Sequence, residues 1–577
     1  MRHSKQVENA YLGAWRRLRG TLVLVGVFSA IINLLMLTGP VYMLQVYDRV
    51  LSSGSVPTLI GLFAIVILLY GFLGLYDFLR ARLLSRAALR LDAQVGEEAL
   101  RFALRAGSAG GRVRVDPGAQ PVRDLELVRG FMASPAITGL FDLPWMPLFL
   151  GLVFFIHPWL GWLTLAGAGV VTAAALFNQV LAQKSIHRAM GLEGAERSLI
   201  EQARNDAETL HALGMRERLV ARWRGLHDAA LAAGQVGSDR SEGFAAFSKS
   251  FRLLLQSALL TLGAYLALRQ EITPGMIIAT SIIAGRALAP VDQVIGQWRG
   301  IGRAREAHQR LREIFGHLPA DKPRVNLPAP TGDLRVTALT KLAPPAGPEA
   351  GADRPRILDR VSFALSPGDG LGVVGNSAAG KSTLARLLVG VWVADAGEVR
   401  LDGATLDQWA PEALGRHIGY LPQSLHMLPG SVGENIARFD TQAKDADIIE
   451  AARIAGVHEM ILGLPDGYAT HMDRMTRPLS GGQIQRLGLA RAIYGAPRLI
   501  VLDEPNSNLD ADGDDALAEA IRTMRARGCV VVVMAHRPSA IAAVNKVLLL
   551  HQGRMAKFGD KDEVLRPAPR PVSIVAQ

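Results

Sequence analysis

Residues 375–383 read GNSAAGKST: Gly375, Asn376, Ser377, Ala378, Ala379, Gly380, Lys381, Ser382 and Thr383, with the spacing G-x-x-x-x-G-K-[ST]. The two glycines allow backbone conformations that turn successive N–H groups inward around phosphate oxygens. Lys381 then reaches β- and γ-phosphates, and the Ser382 hydroxyl is placed to ligate Mg2+. Residues 498–504, RLIVLDE, set two acids after a run of apolar residues. Asp503 is suited to hold Mg2+ through water. Glu504 is suited to polarise an attacking water. The joint chemistry is hydrolysis of a nucleoside triphosphate with Mg2+. A third stretch, LSGGQ, puts Ser480, Gly481, Gly482 and Gln483 at the start of a helix. A helix start also presents backbone N–H groups to a phosphate, so one chain carries two phosphate-facing devices.

The first motif needs a strand, a tight loop and a helix. Apolar LGVV precedes it and STLARLLVG follows, which is the required context. RLIVL reads as a strand buried on both faces, with its acids at the carboxyl end, where ligands of parallel sheets bind. After about residue 316, β-rich runs (RVSFAL, GLGVVG, RLIVLDE, CVVVVMAH, KVLLLHQGRM) alternate with helical segments. This predicts an α/β P-loop NTPase domain over residues 334–567, a mixed and largely parallel sheet flanked by helices. A Pro-rich linker, 317–333, precedes it and a tail, 568–577, follows it. APPAGPEAGADRPR, 343–356, reads as a surface loop within it.

The first half has another character. Crossing roughly 30 Å of hydrocarbon takes about 20 apolar residues, and six stretches qualify: 21–44, 56–76, 136–156, 159–182, 244–268 and 272–298. Residues 21–316 therefore read as a membrane-embedded, all-α, six-span domain. Arginine orients it. Ten Arg from Arg80 to Arg129 lie between spans two and three, and Lys184 with eight Arg through Arg240 lies between spans four and five. The opposite links are only DRVLSSGS, HP and RQE. Both termini and both long loops are expected in the cytoplasm. The loops have helical periodicity, so the spans should continue as helices beyond the bilayer. Residues 1–20 read as a cytoplasmic segment, with YLGAWRRLR an amphipathic helix on the inner membrane surface. Arg286 and Asp292 either sit in water on a cytosolic extension or line a polar cavity. FDLPW, 141–145, reads as an interfacial anchor.

Composition agrees with this division. Apolar residues make up 49% and charged residues 20%, a more apolar balance than soluble proteins show. A net charge of +11 would suit nucleic acid, but the arginines track the edges of hydrophobic segments. Membrane topology accounts for them, and no nucleic-acid partner is expected. The one cysteine, Cys529, rules out a disulfide framework within the chain and reads as a small buried hydrophobe. The polar, basic start, with no A-x-A-like site after the first apolar run, argues against a cleavable signal peptide.

LSGGQ, lying between a phosphate loop and LIVLDE, resembles the signature of ATP-binding-cassette (ABC) proteins. The likeness covers the soluble half. It implies two cassettes packed head to tail, each ATP held between the phosphate loop of one and the signature of the other. Ser480, Gly481, Gly482 and Gln483 would then act on ATP bound to a second copy of the chain, in a homodimer. The same resemblance makes Gln423 in YLPQ the glutamine that senses Mg2+ and the attacking water. It makes Asp510 in NSNLD the aspartate coupling the two sites, and His536 in MAHRPS the switch histidine at the γ-phosphate. Glu504, His536 and Gln423 form the implied catalytic set; Ser382, Gln423 and Asp503 form the metal set. Two departures stand out. LTKLAPPAGP offers no aromatic ring to stack on adenine, and HMDRMTRP stands where many exporters have a Gly/Glu-rich run.

Six spans ahead of one cassette resemble a half-size type I ABC exporter. VRDLELVRGF, 122–131, and NDAETLHALGM, 205–215, resemble its coupling helices, expected to dock on the cassette beside Gln423. GPVYMLQVYDRVLSSGSVPTL, FDLPWMPLFLGLVFFIHPWLG, RALAPVDQVIGQWRG and DEPNSNLD resemble bacterial type I secretion ATPases of the protease- and lipase-exporter group. That likeness implies an inner-membrane exporter of unfolded protein cargo, working with a periplasmic membrane-fusion protein and an outer-membrane channel. No N-terminal peptidase domain is expected ahead of the first span, which disfavours a leader-cleaving peptide exporter. A flippase or small-molecule exporter would use the same scaffold. A regulatory membrane protein with a vestigial cassette is the reading from another class, and Glu504 and His536 speak against it.

Overall fold

The computed structural model describes residues 10–108, 120–316, 327–343, 354–474, 479–535 and 541–565. They form two compact units, one built mainly from residues up to 320 and the other mainly from the rest.

In the first unit six helical segments are long and apolar enough to cross a membrane: Tyr11–Ser53, Val56–Arg105, Pro135–Ile156, Pro158–Asn178, Glu242–Leu268 and Pro274–Gly296. The helices Val56–Ser108 and Arg216–Leu268 run for 53 residues each and Pro158–Asn205 for 48. At 1.5 Å per residue, 53 residues reach about 80 Å, far beyond the hydrocarbon. The long polar loops of the sequence are therefore mostly continuations of spans. The third span is broken into Pro135–Asp142, a 3-10 turn Leu143–Trp145, and Met146–Ile156. Pro144 and Pro147 lack the N–H groups that a continuous helix would use there.

Two sequence expectations change here. YLGAWRRLR does not lie along a lipid surface. It opens one continuous helix, Ala10–Leu35, and its apolar face is buried in protein. Tyr11, Ala14 and Leu18 pack into a cluster with Leu91, Val95, Leu311 and Phe315, and the Tyr11 hydroxyl meets His308 Nδ1 at 2.6 Å. FDLPW is more than an anchor. Asp142 is buried and accepts hydrogen bonds from Arg80 at 2.9 and 3.1 Å and from Asn33 at 2.9 Å. Arg80 also donates to Ser29 Oγ. A buried carboxylate thus ties the first three spans together.

Both stretches resembling coupling helices are helical, as Pro121–Met132 and Ala207–Ala212. The first turns Leu125, Val128 and Met132 into its own unit and fixes itself through Asp124, which accepts from Arg310 at 2.6 and 3.0 Å.

The described residues of the second unit form ten strands: β1 Leu334–Leu342, β2 Arg356–Leu365, β3 Gly370–Val374, β4 Ala396–Leu401, β5 Ala404–Thr405, β6 Ile418–Leu421, β7 Leu499–Asp503, β8 Val530–Ala535, β9 Lys546–His551 and β10 Arg554–Asp560. They make two sheets rather than the single one expected, with orders β2-β1-β4-β5 and β10-β9-β3-β8-β7-β6. The first is antiparallel. RVSFAL lies in its strand β2, where buried and exposed positions largely alternate, as one-sided antiparallel strands do. In the second sheet β9, β3, β8, β7 and β6 are parallel, and β7 and β8 are buried at every position. The register pairs Val374 with Ala535, Asp503 with Met534 and Leu421 with Leu502. The carboxyl ends of β3, β8, β7 and β6 therefore share one edge, and the chemistry-bearing segments leave from it.

Candidate nucleotide-hydrolysis site

The phosphate loop leaves β3 and enters the helix Lys381–Leu388. Its glycines are sterically required. A Cβ on Gly375 would stand 2.3 Å from the Leu550 carbonyl oxygen, and Gly380 adopts φ +98° with Leu358 only 2.8 Å from where a Cβ would lie. Ala378 takes φ +65°, a strained value for a residue with a side chain. Asn376, Ser377 and Ala378 form the exposed tip, while Ala379, Lys381 and Thr383 are buried. Lys381 Nζ donates to the carbonyls of Gly375 at 2.7 Å and Asn376 at 3.1 Å. Burial lowers its pKa, while Glu504 and Asp503 pull it back up. The lysine thus spans its own loop, its charge held where phosphate oxygens can replace the two carbonyls.

Ser382 Oγ donates to Asp503 Oδ1 at 3.1 Å. Asp503 ends β7 and is 1% exposed. Burial, with the neighbouring Glu504 charge, raises its pKa against the opposing Ser382 bond, Arg386 and Lys381. Glu504 follows at φ +52°, its N–H bonded to the Met534 carbonyl at 3.1 Å. That turn takes its side chain out of the sheet, where Gln423 Nε2, just beyond β6, donates to Glu504 Oε2 at 3.0 Å. Lys381, Ser382, Asp503, Glu504 and Gln423 are therefore one cluster. A hydroxyl, a carboxylate and an amide oxygen are hard donors, and Mg2+ is held by one or two carboxylates plus substrate phosphates, so this donor set fits it. Among the described residues no group of three or more His, Cys, Asp or Glu forms a metal cage. His536, which follows β8 in sequence, lies outside the described residues.

LSGGQ opens the helix Gly481–Ile493 with Ser480 as its N-cap. Ser480 Oγ accepts from Gln483 N, and Gln483 Oε1 accepts from Ser480 N at 2.8 Å. This capping box fixes the helix start. Gly482 has a packing reason: a Cβ on it would come within 2.8 Å of the Asn508 carbonyl. Asp510 is exposed and caps the helix Ala511–Ala526, accepting from Gly513 N at 2.9 Å.

Sequence reasoning passed over Gln485. It sits one turn into the signature helix, 8% exposed. Its Nε2 donates to the carbonyls of Glu504 at 3.2 Å and Pro505 at 2.5 Å, and its Oε1 accepts from Asn508 N at 3.1 Å. One buried amide joins the helix of LSGGQ to the turn that aims Glu504. The only sequence signal was a polar residue on the inward side of that helix.

A phosphate loop, an acid pair at the adjacent strand end and a capped signature helix, behind six spans, define an ABC transporter: a multi-pass membrane protein that binds ATP and couples its hydrolysis to transport. The family descriptions "ABC transporter transmembrane region" and "ABC transporter" match residues 22–288 and 358–507. The chain is 43% identical over 98% of its length, and 95% of the relative's, to the type I secretion system ATP-binding protein PrsD of Rhizobium meliloti. It is 28% identical to the cyclolysin secretion/processing ATP-binding protein CyaB of Bordetella pertussis, and 27% identical to the alpha-hemolysin translocation ATP-binding protein HlyB of Escherichia coli O157:H7. These cover 95% of this chain and 76% and 77% of those proteins. Its fold matches that of a bacterial Atm1-family ABC exporter with ATP bound, at a TM-score of 0.79 and 22% identity over 95% of this chain and 96% of that one. The chain belongs to the type I secretion ATP-binding proteins of the ABC transporter family.

Proposed function

We propose that two copies of this chain form a homodimer in the bacterial inner membrane, with termini and cassettes in the cytoplasm, and that it exports unfolded protein. The periplasmic membrane-fusion protein and outer-membrane channel of a type I secretion system would complete the path. Support comes from the arginine asymmetry of the loops and from the secretion and translocation proteins to which the chain is similar.

In this reading the backbone N–H groups of residues 375–383 and Lys381 hold the β- and γ-phosphates, Lys381 exchanging two carbonyls for phosphate oxygens. Ser382 and Asp503, with Gln423 nearby, would hold Mg2+, which supplies neutralisation of phosphate charge. Glu504 accepts a proton from the attacking water, aimed by Gln423 from one side and by the backbone grip of Gln485 from the other. His536 contacts the γ-phosphate. Ser480, Gly481, Gly482 and Gln483 face the ATP of the other copy, and Asp510 links the two sites. ATP then favours the closed pair because only the closed pair offers its γ-phosphate a second helix N-terminus. The domain limits 1–20, 21–316, 317–333, 334–567 and 568–577 belong to the same proposal.

The observation that carries it is the cluster of Lys381, Ser382, Asp503, Glu504 and Gln423 on one sheet edge. Comparing the secreted proteins of a Lys381→Ala strain with those of its parent tests it. One or more secreted proteins should disappear from the medium; an unchanged secretome removes the protein-export reading.

A further inference from the structure

A cleft of ≈ 320 Å³ lies between the fifth and sixth spans, within the first unit. That is at the lower end of the roughly 300–1,000 Å³ typical of ligand sites. Its polar lining is Arg252, Gln256, Ser281 and Arg286, and no carboxylate belongs to it. Arg252 spends one N–H on Asp292, at 2.8 Å, and Asp292 is also held by Ser248 at 2.9 Å. The rest of the Arg252 guanidinium remains as donors. Arg286 makes no ion pair or hydrogen bond among the described residues. Ser281 is 6% exposed, and its hydroxyl has no hydrogen-bond partner among the described residues.

The sixth span shows why these groups matter. Ala279, Ile283, Ala284, Ala287, Leu288 and Val291 are buried against the bundle, while Arg286 is exposed on the other face. A Cβ built on neighbouring Gly285 meets nothing within 4 Å, so this face is open. A guanidinium on a spanning helix is expensive against lipid and faces water or protein instead. The cleft therefore gathers an Arg286 guanidinium with no anion, the spare donors of an Arg252 already paired with Asp292, and an unsatisfied hydroxyl, on a face open enough for a ligand to reach them. Guanidinium forks match carboxylates in geometry as well as charge.

We propose that this cleft is a carboxylate-binding station on the export path, taking the Asp or Glu side chains, or the terminal carboxylate, of an extended polypeptide. It rests on the reading that the cargo is polypeptide. Arg286 is the first donor and Arg252 the second, with Leu253 and Leu259 against the apolar part of the chain. Partial exposure of both guanidiniums keeps the hold weak enough for the chain to move on, as conduction requires.

The test uses the full-length protein in phosphatidylcholine vesicles. ATP turnover is titrated with an unstructured Asp-rich peptide and with the same peptide carrying Asn at every Asp. Each variant is referred to its own peptide-free rate. Wild type should respond to the acidic peptide at about tenfold lower concentration than to the neutral one. Arg286→Gln should erase that difference, and Arg286→Lys, which keeps the charge but not the planar fork, should keep only part of it. Equal responses of wild type to both peptides, or an undiminished acid preference in Arg286→Gln, overturn the station while leaving polypeptide export standing. No response of wild type to either peptide overturns the polypeptide reading and the station with it. A wild-type shift on adding phosphatidylglycerol to the vesicles, lost in Arg286→Gln and accompanied by no acid preference, assigns the cleft to lipid phosphate and refutes the proposal.

Discussion

Glutamate in place of Gln485 keeps the shape of the side chain but reverses half of its hydrogen bonding. The acceptor for Asn508 N survives, while an acceptor-only oxygen now faces the carbonyls of Glu504 and Pro505. Losing a net hydrogen bond costs about 0.5–1.5 kcal/mol and leaving a buried carbonyl unpaired about 1–3 kcal/mol, so the two broken contacts amount to roughly 2–4 kcal/mol. The turn they hold keeps Glu504 at φ +52°, a conformation that needs outside support. If half of that penalty falls on aiming Glu504, about 1–2 kcal/mol, turnover drops about 5- to 30-fold. Gln485 makes no hydrogen bond to residues 375–383 among those described, so ATP should bind nearly as before. The assay is steady-state ATP hydrolysis by purified full-length protein in lipid. For Gln485→Glu, kcat should fall in that range while KM for ATP stays within about threefold of wild type. An unchanged kcat, or a rise in KM as large as the fall in kcat, would show that Gln485 supports the fold generally and does not position Glu504.

Three further outcomes are expected. Glu504→Gln should abolish turnover and accumulate the closed, ATP-bound pair, visible as ATP that stays with the protein through size exclusion; normal turnover would remove Glu504 from its role. Asp503 has its pKa raised by burial, and a raised group favours folding below its unfolded pKa and loses that contribution as pH rises through its folded pKa. Nucleotide-free Asp503→Asn should therefore melt above wild type near neutral pH, with the gap closing toward about pH 4, and should not hydrolyse ATP; a gap that widens on acidification contradicts the sign. Asp142→Ala leaves the buried Arg80 with only the more exposed Asp77 carboxylate and the Ser29 hydroxyl, a loss short of the about 3–5 kcal/mol of a fully unpaired buried charge, so less protein should emerge monodisperse in mild detergent. Arg80→Met combined with Asp142→Leu should recover part of the yield, and a double variant worse than the single one would refute the pairing.

What could be seen in the sequence were features written in consecutive residues. A phosphate loop needs its N–H groups in a row, so GNSAAGKST displays itself. A doubly buried strand ending in acids is legible in RLIVLDE, a capped helix start in LSGGQ, and six spans in runs of apolar residues, because hydrocarbon thickness sets their length. The tertiary structure decided whatever depends on a lone polar residue meeting a distant one. Gln423 reaches Glu504 across 81 residues of chain, and Asp142 meets Arg80 across 62. Gln485 grips a turn that no periodicity announces. The same limit explains the amphipathic start read as lipid-facing: an apolar stripe tells that something covers it, and only packing shows that the cover is Leu91, Val95, Leu311 and Phe315. It explains the two sheets read as one, since strand propensity is local while pairing and register are relations between segments.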